Sequence, residues 1–152
     1  MCENMFEKPK RKNNRLNRSL YDNGDYFVTV VTKGREHLFS EIERDGSLHL
    51  TEYGKIAEKS LQTLSEHFLK VEIMSSVVMP DHVHMIVRIR PPGPSLYTVI
   101  GTWKAGISRR LGRPVWQRSY YDHVIRNEQD YNDICKYIET NPLRWAMKRN
   151  GG

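Results

Sequence analysis

The sequence is poor in cysteine. Only Cys2 and Cys135 occur in 152 residues, and they form no CxxC pair. This excludes a disulfide framework and a cysteine zinc site, and it fits a reducing cytoplasm. Long hydrophobic runs are also missing; the apolar stretches are as short as Val77–Met79. A bilayer-crossing helix needs about 20 apolar residues, so no membrane partner is expected. No apolar signal-like segment opens the chain, which again suggests the cytoplasm. Internal repeats and low-complexity tracts are absent. With 38% hydrophobic and 28% charged residues, the composition is that of a folded domain and not of a disordered chain.

Positive charge is present in excess, and it is unevenly placed. The formal net charge is +6. Residues 1–20 hold six basic and two acidic side chains, and residues 100–152 hold ten and five. The segment between them, 21–99, is net acidic, with eight basic and eleven acidic side chains. Clustered positive charge is the footprint of a polyanion binder, although a generic basic surface gives the same totals. Residues 1–20 are basic and aperiodic and read as an arm, followed by one domain over 21–150.

Hydrophobic periodicity supplies the elements. Tyr26–Thr32 reads as a strand, and Asp45-Gly46 marks a small hairpin between Phe39–Ile42 and Leu48–Leu50. Thr51 caps an amphipathic helix through Tyr53, Ile56, Ala57, Leu61, Leu64 and Phe68. Val71–Met79 and His82–Ile89 read as paired strands around Pro80-Asp81. Ser95 caps a second helix carrying Leu96, Val99, Ile100, Trp103, Ile107 and Leu111. A fourth strand is expected within 115–125. Asn127 then caps a last helix, with Asp130 in a capping-box-like place, and Asn141-Pro142 is expected to end it. The order predicts an α+β, ferredoxin-like split βαβ fold. Its antiparallel sheet carries helices on one face, and a C-terminal helix is added.

Two places carry candidate chemistry. Side chains alternate along a strand, so His82, His84, Ile86 and Arg88 share one face, expected to be uncovered. Val83, Met85, Val87 and Ile89 share the other, expected under the helices. Imidazoles at i and i+2 can ligate one metal ion, given further ligands from elsewhere. A chance pair on a solvated strand is the plain alternative. On the last helix, Tyr137 and Asn141 lie one turn apart on one flank of the apolar stripe Tyr131, Ile134, Cys135 and Ile138. Tyrosine at a core edge and asparagine at a helix-ending turn explain them equally well.

Taken together, the motifs resemble a known family. Residues 77–87, with Pro80-Asp81-His82-Val83-His84, look like the histidine strand of the single-tyrosine HUH transposases. Tyr137-Ile138-Glu139-Thr140-Asn141-Pro142 resembles the tyrosine helix of their REP-associated, IS200-like branch. Tyr26-Phe27-Val28-Thr29 and the run from Trp116 to Arg126 match in the same order, so the resemblance covers about residues 11–149. It implies a metal-dependent enzyme that cleaves and rejoins single-stranded, hairpin-forming DNA through a 5′-phosphotyrosine. Tyr137 would be the nucleophile. His82, His84 and Asn141 would hold Mg2+ or Mn2+. A homodimer is compatible with the family.

For DNA contact, Lys10, Arg11, Lys12, Arg15, Lys104, Arg109, Arg110, Arg118 and Arg126 are the candidate phosphate partners. Trp116, Tyr120 and Tyr121 are candidate stacking platforms, of which at least one is expected in the core. Trp103 is read as core. The alternatives are a nucleic-acid-binding module without chemistry, and a hydrolase using water in which Tyr137 is structural.

Overall fold

The computed structural model describes residues 24–151, so the arm with Lys10, Arg11, Lys12 and Arg15 lies outside the described residues. The elements are β1 (Asp25–Val31), β2 (Ser40–Ile42), β3 (Leu48–Leu50), α1 (Glu52–His67), β4 (Val71–Val78), β5 (His82–Ile89), α2 (Leu96–Leu111), β6 (Tyr121–Ile125) and α3 (Glu128–Gly151). The main sheet runs β4-β5-β1-β6, with every pairing antiparallel. Among its four strands in chain order this is the spatial order 4-1-3-2 of the split βαβ plan. β2 and β3 form a separate hairpin inserted between β1 and α1.

Helix starts follow their capping chemistry. The Thr51 and Ser95 hydroxyls each accept from the amide three residues on, at 3.1 Å. Asn127 Oδ1 accepts from the Asp130 amide at 2.8 Å. The Asp130 carboxylate does not complete a capping box; it pairs with His123 Nε2 at 2.8 Å. Gly54 lies where the first turn of α1 meets the Phe39 carbonyl, and a Cβ there would collide with that oxygen.

One sheet face carries Tyr26, Val28, Val30, Val83, Met85, Val87 and Ile89, buried in one core with Ala57, Leu61 and Leu64 of α1 and Leu96, Ile100 and Trp103 of α2. This is the apolar side read from the strand pattern. The opposite face is not bare, as the strand reading expected. Phe27 and Ile86 lie on it and pack with Ile134 and Ile138 of α3, with Tyr131, Cys135 and Tyr137 at the margin. The histidine face therefore lies beneath a helix.

One expected boundary moves. α3 does not end at Asn141-Pro142 but runs to Gly151 with Pro142 inside it. Proline in a helix interior loses a hydrogen bond and costs about 3 kcal/mol. Packing beyond it offsets that cost: Ala146 is buried with Ile42 and Met79, and Trp145 packs alongside. The fourth strand falls within 115–125 as expected, at Tyr121–Ile125, where it pairs with β1. Trp116 instead makes an isolated bridge to Thr32.

Ile134 is fully buried between α3 and the sheet. Ile134→Ala should lower the unfolding free energy by about 2–5 kcal/mol in urea titrations, with an unchanged slope. A loss of only a few tenths would show that α3 is loosely docked.

Candidate active site

Sheet register builds one half of the site. Thr29 of β1 faces His84 of β5, and Val31 faces His82. The Thr29 hydroxyl lies 2.8 Å from His84 Nδ1. His82 Nδ1 lies 2.7 Å from Asp81 Oδ1. Each imidazole thus has an oxygen partner at Nδ1. A proton held there leaves Nε2 as the unprotonated, ligating nitrogen, the usual arrangement for a metal-binding histidine. The two rings stand 4.5 Å apart, centroid to centroid.

Asp81 is itself anchored. Its carbonyl accepts from the Thr32 amide at 2.9 Å, and its carboxylate meets the Arg35 guanidinium at 3.3 Å. Arg35 sits in the left-handed region (φ 58°), just after Gly34 (φ 67°). Holding a non-glycine residue there costs about 1–2 kcal/mol, and in this position it faces Asp81. Burial alone would raise the Asp81 carboxyl. The hydrogen bond and charge of His82, with Arg35 and His37, outweigh burial and lower it. Asp81 therefore stays anionic at neutral pH.

α3 supplies the other half. The Tyr137 ring packs at 5.4 Å from His84 and edge-on to Phe27 at 6.2 Å. The Arg144 guanidinium lies over the Tyr137 ring, 4.2 Å from its centroid. Trp145 lies 6.2 Å from His82. Asn141 is buried, 8% exposed, one turn after Tyr137 on the same helix. His84 is 3% exposed, and burial holds its pKa well below 6.5, with the charges of His82 and Arg144 acting in the same direction. A neutral imidazole is what metal ligation requires.

Among the described residues no three His, Cys, Asp or Glu side chains gather as a metal cluster. A cation at the histidine pair would need a donor of another kind, such as the Asn141 amide oxygen. The neutral His84 imidazole beside His82, each with an oxygen partner at Nδ1, and the amide of Asn141 one turn after Tyr137 are donor types that fit a divalent ion.

The candidate DNA contacts divide. Trp116 is a correction: it is buried, stacked between Phe39 and Trp103 at 5.2 and 5.1 Å, and its indole donates to the Lys104 carbonyl at 3.2 Å. It packs in the core, where its faces are taken by Phe39 and Trp103, and Trp103 is core as read. Lys104 is spent on structure as well. Its ammonium donates to the Gln117 and Arg118 carbonyls at 2.9 and 3.1 Å, and burial lowers its pKa. Tyr120 packs half-buried against the main core, and Tyr121 is half-buried on edge strand β6. Arg109, Arg110, Arg118 and Arg126 are exposed.

Several site residues escaped the sequence reading. Asp81 had a signal, since it adjoins His82. Arg144 had one too, since it lies two turns beyond Tyr137, but the helix was expected to stop before it. Thr29 and Phe27 lie in the first-strand motif of the resemblance, but their place beside the histidines depends on strand register, which cannot be read from one strand.

A ferredoxin-like sheet with a histidine pair beneath a helix-borne tyrosine defines a protein of the single-tyrosine HUH class. The family model described as Transposase IS200 like matches residues 20–141. A REP-associated tyrosine transposase of Escherichia coli is 32% identical over 125 residues, covering 80% of this chain and 67% of that one. An uncharacterized protein of Haemophilus influenzae is 28% identical over 150 residues, covering 82% of this chain and 83% of that one. A solved REP-associated tyrosine transposase bound to a REP hairpin superposes with a TM-score of 0.67 at 24% identity, over 81% of this chain and 68% of that one. The chain belongs to the IS200-like transposase family, in its REP-associated tyrosine branch, and is by family a tyrosine transposase, an enzyme of DNA strand transfer. Among the described residues no helix is long and apolar enough to cross a membrane.

The lowered pKa of His84 sets a pH dependence. Unfolded histidine takes up a proton near pH 6.5, and the buried one resists it. The stability contributed by neutral His84 is complete above about pH 6.5 and is lost as pH falls from there toward the folded pKa. Melting temperatures should drop between about pH 7 and pH 5.5 in the wild type, and less in His84→Gln. Equal slopes would contradict the burial effect.

Proposed function

We propose that this transposase cleaves and rejoins single-stranded DNA with Tyr137 as nucleophile, at the site formed with His82, His84 and Asn141. The observation that carries the reading is the packing of the Tyr137 ring on His84, itself beside His82. In the reaction the Tyr137 oxygen attacks phosphorus, the bond from phosphorus to the 3′ oxygen breaks, and the phenolic proton is lost as the 3′ oxygen gains one. The product is a 5′-phosphotyrosine with a free 3′-OH. The phosphoester link conserves the bond, so the reverse attack reseals the strand without ATP.

His82 and His84 would hold Mg2+ or Mn2+, with Asn141 as a third ligand; when bound, the ion offsets charge at the phosphate and at the departing oxygen. Thr29 and Asp81 orient the imidazoles. Phe27 and Ile86 form an apolar floor that limits water below the tyrosine.

The substrate we propose is a DNA hairpin with a single-stranded flank. Support comes from the relative of the same fold bound to a REP hairpin, and from the exposed Arg109, Arg110, Arg118 and Arg126. The Tyr137 and histidine halves come from one chain, so a homodimer is not needed to complete the site.

The test is to incubate the protein with end-labelled hairpin DNA and Mn2+, denature, and look for a covalent adduct. The wild type should give one and Tyr137→Phe none. Cleavage without an adduct would point to a hydrolase, and binding alone to a module without chemistry. In the same binding assay, replacing Arg109 and Arg110 by Gln should lower the slope of log affinity against log salt by about 2.

A further inference from the structure

On the reading that Tyr137 is the nucleophile, we propose that Arg144 is a positioning residue that fixes the orientation of the Tyr137 ring. Three observations converge on it. The guanidinium carbon stands 4.2 Å from the centre of the Tyr137 ring, within cation–π range. Arg144 Nη2 donates to Thr140 Oγ1 at 3.0 Å, and that hydroxyl donates in turn to the Lys136 carbonyl at 2.9 Å. His84 and Phe27 both meet the same ring in edge-on contacts.

The geometry explains why such a clamp is needed. Tyr137 lies at the margin of the α3 interface and is only half-buried. The His84 and Phe27 rings and the Arg144 guanidinium all contact its ring. Attack on phosphorus needs the phenolic oxygen in line with the departing oxygen, and a ring that swings loses most productive encounters. Arg144, seven residues on, comes back to the same side of the helix. Its fork bridges Thr140 and the ring, so the side chain has one preferred position. Arginine suits the task better than lysine, because its flat fork can lie over a ring and donate in its own plane.

Arg144 is exposed, so its replacement should leave the fold intact, checked by an unchanged melting temperature. Two readouts test the role. The first is single-turnover cleavage of the labelled hairpin. Arg144→Ala and Arg144→Gln should slow the saturated rate about fivefold with hairpin affinity unchanged, and Arg144→Lys, which keeps the charge without the flat fork, should recover part of it. Thr140→Val should move the rate in the same direction by less. The second uses 13C-labelled tyrosine, with the Tyr137 ring signal assigned by its loss in Tyr137→Phe. In Arg144→Ala that signal should shift and show faster ring motion, and in Arg144→Lys it should shift less.

An unchanged saturated rate in Arg144→Ala would overturn the proposal. So would a loss confined to hairpin affinity, which would make Arg144 a phosphate contact. The ring signal needs no turnover. If the wild type forms no adduct, the reading of Tyr137 as nucleophile fails, whereas an unmoved ring signal in Arg144→Ala sinks the clamp by itself.

Discussion

Phe27 and Ile86, side by side on one face of the sheet, receive Ile134 and Ile138 of α3, and the site depends on this contact. Burying side chains of this size stabilises by about 1.5–3 kcal/mol each. The contact fixes α3 along the sheet, and position along the sheet decides what Tyr137 meets. Strand alternation puts Phe27 and Thr29 of β1 on the same face as His84 and Ile86 of β5. The helix that covers the apolar pair therefore brings its flanking tyrosine to the adjacent histidine. Ala146 and Trp145 seat the far end of α3 on Met79 and Ile42, so the helix is held on both sides of Pro142.

The same burial controls the electrostatics. The chain is basic, and the charges of His82 and Arg144 act on His84. A second positive charge there would be unfavourable, and the buried imidazole stays neutral. Asp81 remains ionised because His82 and Arg35 flank it. One anionic side chain, two imidazoles and one cation over the tyrosine are thus placed by packing, with a fixed division of charge among them.

The charged surface and the apolar interior separate more cleanly than composition suggests. Trp116 and Lys104 come from the basic, aromatic C-terminal third, yet both hold the 116–118 segment against α2. The arginines at the end of α2 and after β6 remain on the surface. In such a segment aromatic residues serve the core as readily as a ligand, because indole and phenol rings bury large areas wherever a partner for their polar atom is found.

The sequence by itself determined the element order, the caps at Thr51, Ser95 and Asn127, the apolar side of β5, and the shared face of His82 and His84. These follow from local periodicity and short-range hydrogen bonding, which a single segment carries in full. Tertiary structure alone decided that the histidine face is covered, that α3 continues through Pro142, and that Thr29, Asp81 and Arg144 support the site. Local propensity at Pro142 says stop, and distant contacts of Ala146 and Trp145 outweigh it. Strand register pairs Thr29 with His84 across 55 residues of chain, and no local pattern encodes that pairing. The candidate site was legible as two fragments; the packing of one helix on two apolar side chains brings them together.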